Sequence, residues 1–187
     1  MNFKNFKISG LVAVEPDVFG DKRGFFLEFY NKEKFAEAGI KVCFVQDNHS
    51  RSSRGVLRGL HFQKAPFVQD KLVRVVRGKV FDVAVDLRLG SPTLGQWEAV
   101  TLSEENKKMF FIPQGFAHGF LALSEVVDFE YKVSNFYSSE SEMGIVFDDS
   151  EINIKWPIRS KIILSEKDKN WPSFAQVKNQ LKEIWGR

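Results

Sequence analysis

A chain of 187 residues is long enough to form one domain with a complete hydrophobic core. The charged fraction of 27% argues against a disordered chain, and the net charge of +3 is too small and too dispersed to predict nucleic-acid binding. No segment is apolar enough for a membrane span, and the amino terminus lacks the apolar run of a signal peptide. We therefore expect a cytoplasmic protein with no membrane or nucleic-acid partner.

Short strand patterns separated by turn residues run along most of the chain. The clearest is the alternation of apolar and polar residues over 81–87, and residues 77–79 predict a hairpin turn before it. In chain order, we expect strands at residues 11–14, 24–30, 42–46, 72–76, 81–87, 97–102, 108–112, 116–122, 126–133 and 162–164. Strands this short and numerous indicate an all-β antiparallel protein, here a jelly-roll barrel.

Two short helices are predicted at the periphery of the barrel. Asn31 can cap a helix that ends at Gly39, and Ser173 can cap another near the carboxyl terminus. One face of the second helix carries the apolar side chains of Phe174, Val177, Leu181 and Ile184. No linker or repeat divides the chain, so we expect one domain over 1–187. The single cysteine, Cys43, excludes an internal disulfide and is expected to be buried in the strand at 42–46.

Two segments resemble the metal-binding motifs of cupins, which are small β-barrels. Residues 55–63 read Gly-Val-Leu-Arg-Gly-Leu-His-Phe-Gln, so His61 has the spacing of the first cupin histidine while Gln63 replaces the second. Residues 113–118 read Pro-Gln-Gly-Phe-Ala-His, which places His118 in the other motif. Because most ligands are missing, we expect no metal and no other cofactor. His118 either hydrogen-bonds a substrate or is a core histidine.

A basic cluster adjoins the His61 motif. Arg51, Arg54 and Arg58 lie within eight residues of one another. The cluster is either a solvated loop or a site for an anionic small molecule. Because guanidinium groups match phosphate oxygens, and because Arg58 lies beside His61, we favour the anionic ligand.

Taken together, the motifs resemble the dTDP-4-dehydrorhamnose 3,5-epimerase family of nucleotide-sugar epimerases along nearly the whole chain. The matching segments occur in order at residues 18–26, 44–50, 55–63, 71–74, 112–120, 131–132 and 164–168. The resemblance implies a metal-free, cupin-like jelly roll that is usually a homodimer. It also implies a nucleotide-sugar substrate and a place in dTDP-L-rhamnose synthesis.

The resemblance also implies roles for individual residues. His61 is the expected general base, paired with Asp168, and Tyr131 is the opposing acid. Lys71 and Arg58 are expected at the substrate. The residues expected to line the sugar-nucleotide site are Arg23, Phe26, Glu28, Gln46, Asp47, Asn48, His118, Glu142 and Lys167, with Phe19 and Tyr137 against the base.

The implied chemistry needs more than a base. A carbon–hydrogen bond beside a ketone is a far weaker acid than imidazolium, so the enolate itself must be stabilised where its charge develops. Lys71 is the best candidate for that cation, although a solvated strand lysine also fits the pattern. Asp168 would fix the tautomer of His61, and Tyr131 would return the proton. Taken alone, His61 also fits a structural role, Asp168 a solvated loop and Tyr131 barrel packing.

Three other functions stay open from the sequence. One is an epimerase that inverts only C3 or only C5, or that takes another nucleotide or a longer sugar. Another is a metal-dependent cupin oxygenase or isomerase. The last is a sugar-nucleotide-binding cupin without catalysis.

Overall fold

Two antiparallel sheets form the frame of the computed structural model, which describes residues 1–158 and 160–186. One sheet, here called sheet I, has the strand order β1-β2-β10-β7-β12-β5, and sheet II has the order β13-β6-β11-β8-β9. A separate hairpin joins β3 to β4. The strands are β1 Asn2–Asn5, β2 Val12–Glu15, β3 Val18–Asp21, β4 Gly24–Leu27, β5 Gln46–Ser53, β6 Leu57–Gln63, β7 Lys71–Arg77, β8 Lys79–Asp86, β9 Trp97–Ser103, β10 Met109–Ile112, β11 Phe116–Ala122, β12 Val126–Val133 and β13 Glu142–Gly144.

The four helices of the described residues are short and lie outside the sheets. Their bounds are α1 Lys32–Glu37, α2 Glu166–Lys169, α3 Phe174–Asn179 and α4 Leu181–Ile184. Both predicted caps are confirmed: Asn31 accepts hydrogen bonds from the first turn of α1, and Ser173 forms a capping box with Gln176 at α3. None of these helices is long and apolar enough to cross a membrane.

The hydrophobic core has three parts. Between the sheets, Val73, Phe110 and Phe129 belong to one cluster. The outer face of sheet II is covered by the carboxyl-terminal segment, whose side chains Phe174, Val177, Leu181 and Ile184 are all buried as predicted. The outer face of sheet I is covered by α1 through Phe35. The predicted all-β, cupin-like jelly roll with peripheral helices is confirmed.

Several predicted strand boundaries are wrong. Residues 42–45 lie outside any strand, and Cys43 is exposed rather than buried. The reason is that this segment packs against α1 through the side chains of Val42 and Phe44, which leaves the residues between them facing solvent. The strand predicted at 162–164 is reduced to a single bridge between Ile163 and Val56. The strand predicted at 24–30 ends at Leu27.

The predicted hairpin at 77–79 is a turn of a different kind. β7 belongs to sheet I and β8 to sheet II, so the turn carries the chain from one sheet to the other. Gly78 has a φ of +80° there, and a Cβ at this position would come within 2.2 Å of the Val126 carbonyl oxygen. Only glycine fits this corner.

Candidate active site

A cavity of about 520 Å³ opens between the two sheets. His61 and His118 enter it from sheet II, whereas Lys71 and Tyr131 enter it from sheet I. Its lining contains eight of the predicted site residues, namely Arg58, His61, Lys71, His118, Tyr131, Glu142, Lys167 and Asp168. The fold therefore brings the proposed base, its carboxylate, the phenol and the lysine into one space.

His61 and Asp168 are in direct contact although 107 positions separate them in the chain. The imidazole Nε2 lies against Asp168 Oδ1. Backbone hydrogen bonds hold the two residues close together. Ile163 bonds to both Gly55 and Leu57 at the start of β6, and this places α2, with Asp168, beside the strand that contains His61. The interpretation of Asp168 as part of a solvated loop is wrong, since its side chain is buried.

Three hydrogen bonds hold Asp168 in place, two to its carboxylate and one donated by its own backbone N–H. Besides His61, the Trp171 indole N–H donates to Oδ1 at 3.2 Å, and the Asp168 backbone N–H donates to Ser165 Oγ at 3.1 Å. Burial opposes ionisation, but these hydrogen bonds outweigh it, so the pKa of Asp168 lies below its ordinary value. The carboxylate is thus charged at neutral pH and favours a proton on the nitrogen of His61 that faces it.

Lys71 lies at the start of β7, inside the cavity. Burial lowers the pKa of its ammonium group to about 8, against the opposing effect of the carboxylates of Asp82 and Glu142. At neutral pH roughly nine in ten such side chains carry a charge. Lys71 is therefore a poorly hydrated cation rather than a solvated strand lysine.

Tyr131 faces the cavity from β12, on the sheet opposite His61. Burial raises the pKa of its phenol, and the nearby Arg58 guanidinium only partly offsets that effect. The phenol therefore keeps its proton at neutral pH and can donate it.

His118 lies directly across from His61 in the pairing of β11 with β6. Its Nε2 is 3.0 and 3.1 Å from the two carboxylate oxygens of Asp82, which is fully buried on β8. Burial lowers the pKa of His118 even with this carboxylate beside it. His118 is thus buried and paired as expected of a core histidine, and its side chain also lines the cavity, so a hydrogen bond to substrate stays a prediction.

The basic cluster separates in the folded chain. Arg58 lines the cavity, with its Nε donating to Ser52 Oγ at 3.1 Å and its Nη2 to the Arg51 carbonyl at 3.1 Å. Arg51 is bound to Asp128, and Arg54 faces Glu125. Of the three arginines, Arg58 is the one placed to meet a ligand in the cavity.

A network of polar side chains forms one rim of the cavity. Glu142 accepts hydrogen bonds from Tyr137 Oη at 2.7 Å and from Lys167 Nζ. Burial opposes the charge of Glu142, but these two donors lower its pKa below the ordinary value. Gln46 donates to Asn48 at 2.9 Å and accepts from the Tyr137 backbone N–H at 3.2 Å. The expected residues Gln46, Asn48, Tyr137, Glu142 and Lys167 thus lie together.

Other predicted site residues are not part of the cavity of the same chain. Phe19, Arg23 and Phe26 belong to the β3–β4 hairpin, whose aromatic rings are largely exposed, 64% for Phe19 and 69% for Phe26. Glu28 binds Lys34 at 2.8 Å. Asp47 points to the outer face of sheet I, where it binds Lys132 at 2.9 Å.

Three groups around the cavity were not predicted as site residues from the sequence. From the sequence, Asp82 is one polar residue in the alternating pattern of a strand. An acidic residue on the strand that neighbours His118 could have been predicted as its partner. Gln63, which replaces a cupin histidine, accepts the Ser138 backbone N–H at 3.1 Å and so supports the rim. The Ser50 hydroxyl is buried in the cavity wall and has no hydrogen-bond partner among the described residues.

Sequence comparison agrees with this geometry. The sequence profile of the dTDP-4-dehydrorhamnose 3,5-epimerase family matches residues 5–176. The dTDP-4-dehydrorhamnose 3,5-epimerase of Shigella flexneri is 55% identical over 178 residues, which cover 95% of this chain and 98% of that relative.

Two solved structures show the same fold. A dTDP-6-deoxy-D-glucose-3,5-epimerase from Legionella pneumophila, in complex with dTDP-4-keto-L-rhamnose, matches with a TM-score of 0.93 at 49% identity over 96% of each chain. A 3'-monoepimerase from Streptomyces bikiniensis, in complex with dTDP-quinovose, matches with a TM-score of 0.86 at 31% identity over 97% of this chain and 98% of that one. By the family profile and by the identity shared with its relatives, the chain belongs to the dTDP-4-dehydrorhamnose 3,5-epimerase family.

Proposed function

We propose that this protein epimerises C3 and C5 of dTDP-4-dehydro-6-deoxy-D-glucose to give dTDP-4-dehydro-L-rhamnose. The observation that carries the proposal is the meeting of His61, Asp168, Lys71 and Tyr131 in one cavity, with the base and the phenol on opposite sheets. Family membership and the relatives' names support the choice of substrate.

His61 removes the proton from the carbon beside the ketone. Asp168 accepts a hydrogen bond from His61 Nε2 and so favours the tautomer with its proton on that nitrogen. The lone pair of Nδ1 is then free to take a proton from the substrate. As His61 becomes imidazolium, the same carboxylate stabilises the new charge. The C3 and C5 protons are removed in separate steps because there is one base.

Lys71 stabilises the enolate that forms on O4. Its ammonium group has lost part of its hydration shell to burial, so it interacts more strongly with a developing negative charge than a solvated lysine does. It can also pass a proton to O4, since a pKa of about 8 brings its acidity close to the working pH.

Tyr131 returns a proton from the other face of the sugar. A base on one sheet and an acid on the other give inversion, because the carbon loses its hydrogen on one side and gains it on the other. The raised pKa of Tyr131 keeps the phenol protonated until the carbanion accepts that proton.

Arg58 and the polar rim bind the diphosphate and the nucleoside. Arg58 is fixed through Ser52 and the Arg51 carbonyl, which reduces the entropy lost when it meets phosphate oxygens. Tyr137 offers an aromatic face at the rim, where a base can stack. Ser50 offers a hydroxyl donor to the sugar, whereas His118, whose Nε2 faces Asp82, offers its other ring nitrogen as an acceptor.

A homodimer completes the site. The β3–β4 hairpin exposes Phe19 and Phe26 and lies outside the cavity of its own chain. Apolar rings that are this exposed on one short hairpin favour contact with a second copy of the chain. We therefore assign Phe19, Arg23, Phe26 and Glu28 to the site of the partner subunit.

The chain acts as one domain over 1–187, in the cytoplasm, without a metal ion. The donor set supports the last point, because Gln63 is engaged with Ser138 and His118 with Asp82. Among the described residues, no group of three or more His, Cys, Asp or Glu side chains is arranged around a common point.

Proton NMR in deuterium oxide tests the function. With dTDP-4-dehydro-6-deoxy-D-glucose, the purified protein should replace the hydrogens at C3 and C5 with one deuteron each and yield the L-rhamno product. Exchange at a single carbon would make it a monoepimerase, like the protein from Streptomyces bikiniensis. Tight binding without exchange would make it a binding protein, and loss of exchange with a chelator would make it metal-dependent.

A further inference from the structure

The indole of Trp171 contacts both members of the His61–Asp168 pair. Its N–H donates to Asp168 Oδ1 at 3.2 Å, and its ring meets the imidazole edge to face, with centroids 5.8 Å apart and planes at 70°. The same carboxylate oxygen also receives His61 Nε2. Trp171 is therefore the second donor to the atom that orients the base.

The strand beside His61 is shaped to accept this indole. Gly144 pairs with His61 in the β13–β6 register, and a Cβ at Gly144 would lie 2.7 Å from Cδ2 and Cε2 of Trp171. The backbone that follows is tied to the same strand end, since the Val146 N–H donates to the Pro172 carbonyl at 3.0 Å. The indole thus packs directly against the backbone at Gly144, in space that a side chain at this position would fill.

A second donor changes what the carboxylate does to the imidazole. Each hydrogen bond to Oδ1 draws electron density from it and makes it a weaker acceptor for the proton of His61. It also restricts rotation of the carboxylate, which keeps the imidazole in one orientation. Both effects bear on how readily His61 takes a proton from the substrate.

We propose that Trp171 is a positioning residue for proton abstraction, acting through Asp168 on the orientation and basicity of His61. This inference rests on the proposed epimerase function and deepens it. The ionisable groups beside the pair are Glu142 of β13 and His118 of β11, which face it from neighbouring strands, and Lys167, which lies on α2 next to Asp168.

The substitution Trp171→Phe tests the proposal with Trp97→Phe as its matched control. Both indoles are half-buried, and Trp97 donates to the Ile152 carbonyl, away from the cavity. In Trp171→Phe we expect kcat to fall about tenfold with KM changed less than about twofold, since one hydrogen bond to a charged group is lost. The acidic limb of kcat/KM should move to higher pH, because an unopposed carboxylate makes the imidazole more basic.

Tryptophan fluorescence of the unaltered protein gives a second measurement of the Trp171–His61 contact. An imidazolium beside an indole quenches its fluorescence, so emission of the unaltered protein should fall as pH drops through the acidic limb of the rate profile. His61→Asn should remove that step. The step should also be missing from Trp171→Phe and present in Trp97→Phe.

The outcomes separate this inference from the function it rests on. If the unaltered protein fails to exchange deuterium, the proposed function is lost, whereas the fluorescence step still reports on the Trp171–His61 contact. If exchange is normal but the acidic limb is the same in Trp171→Phe and the unaltered protein, Trp171 only packs. Equal losses of kcat in the two tryptophan variants would overturn the inference as well.

Discussion

Within the cavity, Lys71 is a side chain whose charge state is changed strongly by burial. A lysine in water titrates near 10.4, whereas burial brings this one to about 8. The positive charge is present below that value and is lost above it. In the proposed mechanism, the Lys71 cation therefore stabilises the enolate at neutral pH and is lost in mildly alkaline solution.

Activity should follow this ionisation. We expect kcat/KM to decline above a pH of about 8, and Lys71→Met to lower kcat by a factor of about 10² to 10³, which is the usual effect of removing one donor to a developing oxyanion. Lys4→Met, on the surface ion pair with Glu15, is the control. A Lys71→Met enzyme with near-normal kcat would show that another group stabilises the enolate.

Substitution of His61 is expected to have the largest effect on activity. His61→Asn should abolish deuterium exchange at both C3 and C5, because His61 is the proposed base and the other histidine among the described residues that line the cavity, His118, is bound to the buried Asp82. His49→Asn is the matched control, since His49 is exposed and pairs with Asp128 on the outer face of sheet I. Exchange retained at either carbon would mean that a second base exists.

Among the elements, the four-residue helix α2 is the one that places the carboxylate beside the proposed base. It carries Asp168 to His61, and it begins at Ser165, whose hydroxyl accepts the Asp168 backbone N–H. The chain before α2 is bonded to the start of β6 through Ile163. The single bridge at Ile163, in the segment predicted as a strand, thus fixes the position of Asp168 relative to His61.

Two cap substitutions separate stability from function. Ser165→Ala and Ser173→Ala each remove a helix cap, so each should lower the free energy of unfolding by about 1 kcal/mol. Only Ser165→Ala should also reduce kcat, by about tenfold, because it loosens the carboxylate. Thermal unfolding and deuterium exchange measure the two effects. A loss of kcat in Ser173→Ala of the same size would attribute both to general destabilisation.

For the whole molecule, the position of the β3–β4 hairpin is the main consequence of the fold. Its aromatic residues match the family motif but are exposed and stand apart from the cavity of their own chain. A site shared between two copies reconciles these facts, and a symmetric dimer would contain two such sites.

Mixing two inactive variants tests the shared site. One carries His61→Asn, and the other carries Phe19→Ala with Phe26→Ala in the hairpin. After random exchange of subunits, half of the dimers are mixed, and each mixed dimer has one intact site, so about one quarter of the normal activity should return. Sedimentation equilibrium establishes the dimer independently. If activity fails to return from confirmed mixed dimers, the hairpin serves its own chain.

Local patterns were enough for the strongly periodic strands, the helix caps and the motifs. β11 and β12 lie where the apolar runs predicted them, and Asn31 and Ser173 cap helices because their side chains act within a few residues. The wrong prediction at residues 42–45 shows where local patterns are not enough. Residues 42–45 have strand-like composition, yet contact with α1 decides their conformation.

The ordered motifs in the sequence determined the family, the fold class and many of the residues that line the cavity. Only the tertiary structure decided which of them meet: it joined His61 to Asp168 across 107 positions, paired His118 with a buried Asp82 and left the hairpin outside its own cavity. The reason is physical. Caps and strand periodicity arise from neighbouring residues, whereas burial, altered acidity and contact between distant side chains exist only after the sheets have packed together.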